Sequence, residues 1–171
     1  MTELRTARLV LRRARPSDLD AMHAVLGDER AMTYWSHPPH ENPERTREWL
    51  DAMIHSPPEL SDDFVVTLDG RPIGKFGAWR LPDFGYILSP DYWGKGYAAE
   101  AMIAFLDHVF ARPDVDHLTA DVDPRNKGSI ALLERHGFAE TGRATGTWDT
   151  HIGLCDSIYF RLDRTDWLKR G

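Results

Sequence analysis

The sequence predicts a single α/β (α+β) domain that spans residues 1–171. Two observations predict this class. Apolar residues make up 42% of the 171 residues, which is enough to form a substantial core in one domain. Strand-like and helix-like periodicities also alternate along the chain, without a linker, an internal repeat or a low-complexity tract.

The N-terminal third is predicted to form one strand and two helices. Residues 8–12 alternate weakly between apolar and polar, as a strand does. Residues 16–18, Pro-Ser-Asp, are typical of a helix start, and apolar residues follow at helical spacing: Leu19, Met22 and Leu26. After an irregular stretch, residues 42–45 open a second helix, because Pro43 suits its first position.

The middle of the chain is predicted to contain a hairpin, a third strand and a helix. Residues 64–68 and 73–79 have strand-like composition and flank the turn 69–71, and residues 84–88 form the next strand. From Ala98 the apolar residues keep the i, i+3, i+4, i+7 spacing that buries one helix face: Met102, Phe105, Leu106 and Val109.

The C-terminal part is predicted to add a strand, a helix and a late strand. Residues 117–122 form the strand, and residues 126–136 form the helix, which ends at Gly137. Residues 152–162 form the last strand, with a period of two.

Charge and hydropathy exclude several classes of function. The chain has 21 Lys and Arg residues against 27 Asp and Glu residues, so we expect no general attraction to nucleic acid or anionic lipid. The charged start lacks the apolar segment of a signal peptide, and no apolar run approaches the roughly 20 residues that span a bilayer. We therefore expect a cytoplasmic protein with no membrane segment.

Metal and thiol chemistry are not expected either. Cys155 is the single cysteine, which excludes an intrachain disulfide and a cysteine-rich metal site, and we expect it to be a small, half-buried apolar residue. His37 and His40 flank two prolines in an extended stretch where no further ligands are evident, so no metal is assigned.

A glycine-rich loop precedes the central helix. Gly94, Lys95 and Gly96 stand between the strand 84–88 and the helix that starts near Ala98. The free N–H groups and positive dipole end of such a helix start suit a phosphate or pyrophosphate. Two glycines can also form a plain turn with a solvated lysine, so the context has to decide.

Two nucleotide-binding motifs fit this loop poorly. A P-loop needs Ser or Thr after Gly-Lys, where this chain has Gly96. Residues 94–99 match the dinucleotide fingerprint G-x-G-x-x-A, but that motif directly follows a first strand, whereas residues 89–93 intervene here after several strands. Nucleotide hydrolysis is therefore not expected, and a dinucleotide-dependent enzyme stays an alternative.

Four segments, taken in order, carry a family resemblance. They are residues 85–88 (GYIL), 92–98 (YWGKGYA), 123–129 (DPRNKGS) and 133–138 (LERHGF). Together they resemble the GNAT superfamily of N-acetyltransferases, and within it the branch that contains the ribosomal-protein N-terminal (alanine/serine) acetyltransferases. The match covers most of the chain and is specific as a set.

The resemblance implies a mixed, mostly antiparallel central sheet flanked by helices, and acetyl-coenzyme A as the donor. It implies that the pantetheine pairs with the strand ending at Leu88 and that the pyrophosphate binds the loop amides. The residues implied to contact the coenzyme are Ile87, Leu88, Trp93, Gly94, Lys95, Gly96, Tyr97, Ala98, Asn126 and Ser129. Trp93 departs from the Arg or Gln common in the wider superfamily, a substitution typical of this branch. We expect a monomer or a homodimer.

Acetyl transfer to an amine needs a base. A primary amine is mostly protonated at neutral pH, so its lone pair must be freed before it attacks the thioester in a ternary complex. Asp121 stands where many superfamily members place such an acid, and Asp83 is the alternative. A solvated acid at a strand end is the plainer explanation of either residue.

The departing thiolate needs a proton or a hydrogen bond. Much of the superfamily has Tyr at the position of Leu133, so we expect Ser129, another group or solvent to serve here. Asn126 is implied to hydrogen-bond the pantetheine, and a helix N-cap is a compatible second role.

The acceptor is expected to be a primary amine. A protein N-terminal α-amino group ranks first because its pKa is about 8, against about 10 for a lysine side chain. A small amine such as a polyamine or an aminoglycoside is the alternative, and a non-catalytic coenzyme A sensor is a third hypothesis. In the resembling fold, residues 31–63 line the acceptor side. Their aromatic, histidine and acidic side chains suit an ammonium group on an apolar or peptide-like body: Trp35, His37, His40, Trp49, Glu41, Glu44, Asp51, Asp62 and Asp63.

Overall fold

The computed structural model describes residues 2–171 and contains one sheet of eight strands with helices on both faces. The strands are β1 (Glu3–Arg5), β2 (Leu9–Arg12), β3 (Asp62–Leu68), β4 (Arg71–Arg80), β5 (Asp83–Leu88), β6 (His117–Val122), β7 (Ala139–Thr150) and β8 (Gly153–Asp163). The helices are α1 (Leu19–Leu26), α2 (Pro43–His55), α3 (Tyr97–Phe110), α4 (Lys127–Arg135) and α5 (Arg164–Arg170). The predicted α/β class is confirmed.

The order of the strands produces an opening in the middle of the sheet. The order is β1-β2-β3-β4-β5-β6-β8-β7, and neighbours are antiparallel except for β5 and β6. Those two strands run parallel, and their registered pair is Asp83 with Thr119, near the start of β5. The carboxyl ends of β5 and β6 therefore diverge. The sheet is mixed and mostly antiparallel, as the resemblance implies.

Alternation along the strands gives the sheet two faces. On the first, which we call the α3 face, Phe64 and Phe76 pack against Phe105 of α3. Helices α4 and α5 add residues to the same core. On the second, which we call the α1 face, Val65 packs against Met22 of α1, and α2 contributes to this smaller cluster.

All the predicted strands and helices are present, with ends that differ by a few residues. Three further elements, β1, β7 and α5, lack a counterpart in the sequence prediction. β7 contains Gly142 and Gly146 and is mostly exposed, and it forms through pairing with β8 across two register shifts. Among the helices of residues 2–171, none is long and apolar enough to cross a membrane.

Asp62 is a buried charge at the start of β3. Its side chain is 1% exposed and accepts hydrogen bonds from Arg13 Nη2 at 2.8 Å, His108 Nε2 at 2.9 Å and Arg112 Nη1 at 3.3 Å. Burial alone would raise the pKa of Asp62, but the hydrogen bonds from His108 and Arg13 lower it below its ordinary value. The cluster therefore ties α3 to the sheet through an ionised carboxylate.

We expect Asp62→Asn to destabilise the protein at neutral pH by roughly 3 kcal/mol, because partly buried cations lose their carboxylate. Since the pKa is lowered, ionised Asp62 stabilises the fold above its unfolded pKa of about 4, and this contribution disappears as pH falls through the folded pKa. Urea unfolding from neutral pH to about pH 3 should show the difference from wild type shrinking toward acid. A difference that is constant with pH would contradict this role, and Asp51→Asn on the exposed surface of α2 is the control.

Candidate active site

A cleft of about 1720 Å³ lies between the parted ends of β5 and β6. The N–H of Ser89 donates to Ile73 O in β4, so alternation turns the backbone groups of Leu88 and Tyr86 away from β4 and toward the gap. Trp93 Nε1–H donates to Leu88 O at 3.0 Å. The edge of β5 that faces β6 is therefore uncovered at Tyr86 and Leu88, and it borders the cleft.

The glycine-rich loop and the start of α3 border the same cleft. Gly94 has a φ of +70° and Gly96 a φ of +83°, left-handed values that favour glycine. A Cβ at Gly94 would have no atom within 4 Å, so this residue faces open space. Gly96 is the N-cap of α3, and the first-turn N–H groups, including those of Tyr97 and Ala98, lack acceptors within the helix. The loop therefore offers amide donors and a positive dipole end, which an anion requires.

Arg8 of the N-terminal hairpin holds this loop in place. Its Nη1 donates to Lys95 O at 3.0 Å, and its Nε donates to Glu100 Oε2 at 2.8 Å. Its guanidinium also lies 4.3 Å from the centre of the Tyr97 ring. The ammonium of Lys95 lies 5.7 Å from the centre of the Tyr92 ring; Lys95 is exposed and does not line the cleft, unlike the other residues from Trp93 to Ala98.

Two hydroxyl groups meet on the α3 face of the gap. Ser129 Oγ lies 2.9 Å from Tyr86 Oη, and either can be the donor. Burial raises the pKa of Tyr86, partly offset by Ser129, so the phenol keeps its proton at neutral pH. Asn126 caps α4, since its Oδ1 accepts the N–H of Ser129 at 3.3 Å, and Leu133 is buried in the core. The sequence indicated Ser129 but not its partner Tyr86.

Asp121 lies on the α1 face of the gap. Its neighbour Ala120 belongs to the core of the α3 face, so alternation turns Asp121 the other way. Trp148 Nε1–H donates to Asp121 Oδ2 at 3.0 Å, and both residues line the cleft. Asp83, at the point where the strands pair, accepts the hydroxyl of Thr119 at 2.6 Å. Asp121 therefore faces the open part of the cleft, whereas Asp83 lies where it closes.

Aromatic side chains line the cleft on the side of the α1 face, and Ile87 adds an apolar surface between them. These aromatic residues are Tyr34, Trp35, Trp49, Trp79, Trp148 and Tyr159. Of the acids expected on the acceptor side, Asp63 lines the cleft, and Asp62 is held in the ion cluster described above. The other three acids are exposed outside the cleft lining, so fewer acids of residues 31–63 reach the cleft than the sequence suggested: Glu41, Glu44 and Asp51.

His37, His40 and Cys155 are held by contacts within the protein. The rings of His37 and His40 stack with centres 5.5 Å apart, and His40 Nδ1 lies 2.7 Å from Thr46 Oγ1. Burial, with a contribution from the charge of His37, lowers the pKa of His40 to about 4, so this ring is neutral at neutral pH. Cys155 is buried, and Arg125 Nη2 donates to its sulfur at 3.3 Å. In the part of the chain from residue 2 to residue 171, no group of three or more His, Cys, Asp and Glu side chains could hold a metal ion.

Comparison with known proteins places this geometry in a family. A family model described as an acetyltransferase (GNAT) domain matches residues 8–139. The uncharacterized N-acetyltransferase p20 of Bacillus licheniformis is 28% identical, over 98% of this chain and 99% of its own length. The spermidine N(1)-acetyltransferase of Escherichia coli K12 is 30% identical, over 77% of this chain and 73% of its own length.

Solved structures of two such enzymes share the fold. A ribosomal L7/L12 α-N-protein acetyltransferase in complex with coenzyme A has a TM-score of 0.86 at 18% identity, covering 97% of this chain and 99% of its own. The Vibrio cholerae spermidine N-acetyltransferase in complex with coenzyme A and spermine has a TM-score of 0.83 at 23% identity, covering 95% of this chain and 99% of its own. The family model and the curated relatives confirm the resemblance to the GNAT superfamily, and the solved structures share its fold. The chain belongs to the GNAT family and is an acyltransferase of the N-acetyltransferase type.

Proposed function

We propose that the protein transfers an acetyl group from acetyl-coenzyme A to the α-amino group of a peptide, by direct attack in a ternary complex. One observation carries this proposal: a carboxylate and a hydroxyl pair flank the gap between β5 and β6 from opposite faces. Asp121 approaches from the α1 face, and Ser129 with Tyr86 from the α3 face. A thioester in the gap would have a base on the side of the amine and a proton donor on the side of the sulfur.

The chemistry of the coenzyme fits the residues around the gap. Its pyrophosphate is an anion that suits the amides of residues 94–98, and the exposed ammonium of Lys95 is proposed to turn toward it. Its pantetheine carries amide groups that can pair with the backbone edge of β5 at Leu88 and Tyr86. Trp93 fixes this edge through Leu88 O, and Asn126 lines the same cleft from the start of α4.

Each proton and electron pair has a destination in this mechanism. Asp121 accepts a proton from the ammonium group, directly or through water, and the freed nitrogen attacks the thioester carbonyl. A C–N bond forms, the C–S bond breaks, and the electron pair leaves with the sulfur. The Ser129 hydroxyl gives a proton to this thiolate and takes one from Tyr86, which solvent then reprotonates. The ammonium loses one proton before the attack and the attacking nitrogen loses a second one afterwards; both leave to solvent through Asp121, so one proton is released overall.

A peptide α-amino group suits the acceptor side better than a polyamine does. Its pKa of about 8, against about 10 for an alkylamine, lets a carboxylate free it at lower cost. Asp63, one of the acids that line the cleft, is paired with Lys75 at 2.9 Å, so this pair offers no net negative charge to a ligand that carries only positive charges. The similarity to the spermidine N(1)-acetyltransferase of Escherichia coli makes a polyamine the second candidate.

A thiol-release assay with acetyl-coenzyme A tests the acceptor. We expect short peptides with a free α-amino group to react about tenfold faster, or more, than spermidine and than the same peptides N-blocked and carrying a lysine, because more of the α-amine is unprotonated. Equal rates, or turnover of polyamines alone, would contradict the peptide acceptor and leave acetyl transfer intact. Tight coenzyme binding without thiol release for any amine would instead support a sensor.

A further inference from the structure

A row of four residues crosses the sheet on the α1 face. The strand register pairs Asp63 with Gly77 and Gly77 with Gly85. The parallel pair of Asp83 and Thr119 places Asp121 at the level of Gly85, across the gap. Two acids thus stand at the ends of a row whose middle positions have no side chain.

Gly85 leaves an open floor between these acids, whereas the space at Gly77 is taken up by Asp62 and Asp63. A Cβ at Gly77 would lie 2.5 Å from the Asp62 carbonyl oxygen and 2.9 Å from Asp63 Oδ1, so only glycine fits there. A Cβ at Gly85 would meet no atom within 4 Å, and Gly85 lines the cleft. A ligand can therefore approach the backbone of the sheet along this floor.

The far end of the floor is a buried ion pair. Lys75 Nζ lies 2.9 Å from Asp63 Oδ1, their side chains are 3% and 7% exposed, and both residues line the cleft. Asp63 Oδ1 makes this ion-pair contact but no well-directed hydrogen bond among residues 2–171, so it keeps a lone pair for a further donor. The pair presents one acceptor and one cationic donor, with no net charge.

We propose that this floor is a subsite for the backbone of a peptide acceptor, which extends from Asp121 to the pair of Asp63 and Lys75. Asp63 accepts a backbone N–H of the peptide, and Lys75 donates to a backbone C=O. A peptide offers both groups, whereas a polyamine offers donors alone. This inference rests on the proposed peptide acceptor and adds the residues that select it.

Strand spacing gives the subsite a length. Two paired steps of about 4.8 Å and the wider step across the gap separate the strand of Asp63 from that of Asp121, or at least about 14 Å in all. An extended peptide advances about 3.4 Å per residue, so about four residues reach from the reacting nitrogen to the ion pair. Contacts with Asp63 and Lys75 are therefore available to a tetrapeptide and out of reach of a dipeptide.

The test compares amidated peptides of increasing length that share one N-terminal residue. We expect kcat/KM of the wild type to rise about tenfold between two and four residues, the effect of one or two hydrogen bonds, and to stay level beyond. The Asp63→Asn/Lys75→Met double variant should lose this rise. Both charges are removed together because a single substitution would leave the other charge buried and unpaired.

Two further variants separate the subsite from general damage. Gly85→Val fills the floor in a strand that tolerates valine, and it should also abolish the rise with length. The Asp166→Asn/Lys169→Met double variant removes an exposed pair on α5 and should keep the rise. Peptide turnover that does not depend on length in the wild type, or a rise that persists in both floor variants, would overturn the subsite alone. Failure of every peptide, with polyamines accepted, would overturn the peptide acceptor and the subsite with it.

Discussion

Gly94→Asp should abolish coenzyme A binding, with a loss of at least about a hundredfold in affinity, the equivalent of about 2.8 kcal/mol. Gly94 has a φ of +70° and faces open space in the cleft beside the amides of the loop. An aspartate there would add a negative charge where the pyrophosphate is proposed to bind, and like charges repel. Isothermal titration calorimetry measures this loss directly.

Gly70→Asp is the matched control for this substitution. Gly70 in the β3–β4 turn has a φ of +79°, and a Cβ there would also meet no atom within 4 Å. Gly70→Asp therefore carries the same new charge and a similar backbone cost of about 1 kcal/mol, away from the cleft. If a folded Gly94→Asp protein binds coenzyme A as tightly as Gly70→Asp does, the loop does not hold the pyrophosphate. Gly96 is less suited to this test because a Cβ there would lie 3.3 Å from Arg8 Nη2 and would disturb the contacts of Arg8.

Asp121→Asn should lower kcat by about a hundredfold near neutral pH, the usual contribution of a general base. The amide cannot accept the proton, but it keeps the size of the side chain and can still accept the hydrogen bond of Trp148. The deficit should be largest below the α-amine pKa of about 8, where most of the acceptor is protonated, and should shrink as pH rises above it. Thiol release at saturating substrates from about pH 6.5 to about pH 9 gives this profile.

Asp83→Asn is the matched comparison for the base. The Asp83 carboxylate accepts the hydroxyl of Thr119 at the closed end of the gap, so its removal should change kcat much less than that of Asp121. A wild-type pH profile for Asp121→Asn together with a large loss for Asp83→Asn would assign the base to Asp83. Wild-type profiles for both variants would leave solvent as the proton acceptor and refute the role of either carboxylate.

Local sequence patterns were sufficient to predict the helices and strands whose side chains alternate between core and solvent. The apolar spacing that predicts α3 is the spacing with which Met102 and Phe105 enter the core, and β5 follows the strand predicted at residues 84–88. β7 escaped prediction because its stability comes from its partner: the stretch Ala139–Thr150 has little apolar alternation and pairs with β8 across irregular register. α5 is short and charged, so its pattern is weak.

The parts of the candidate site that lie in one segment of the chain could be predicted from the sequence. The parts that form where distant segments meet could not. The loop at Gly94 and Gly96 is local, and its left-handed glycines could be anticipated from the motif. Trp148 reaches Asp121 across the sheet, and neither residue has a neighbour in sequence that signals this contact. The buried pair of Asp63 and Lys75 likewise depends on the register of β3 and β4, which composition does not specify.

The single registered pair between β5 and β6 has a consequence for the stability of the protein. The two parts of the sheet are joined through a shared core, in which the rings of Phe84 and Phe138 stack 5.3 Å apart, more than through backbone hydrogen bonds at this junction. A coenzyme bound along β5 as proposed would complete the interrupted ladder, much as a ninth strand would. The free energy of unfolding would then rise with the concentration of the coenzyme, by about 2.7 kcal/mol when that concentration is a hundred times its dissociation constant. Because the product, coenzyme A, keeps the same pantetheine and pyrophosphate, it would pair with β5 as the donor does. The edge of β5 would then be uncovered mainly while coenzyme A is exchanged for acetyl-coenzyme A.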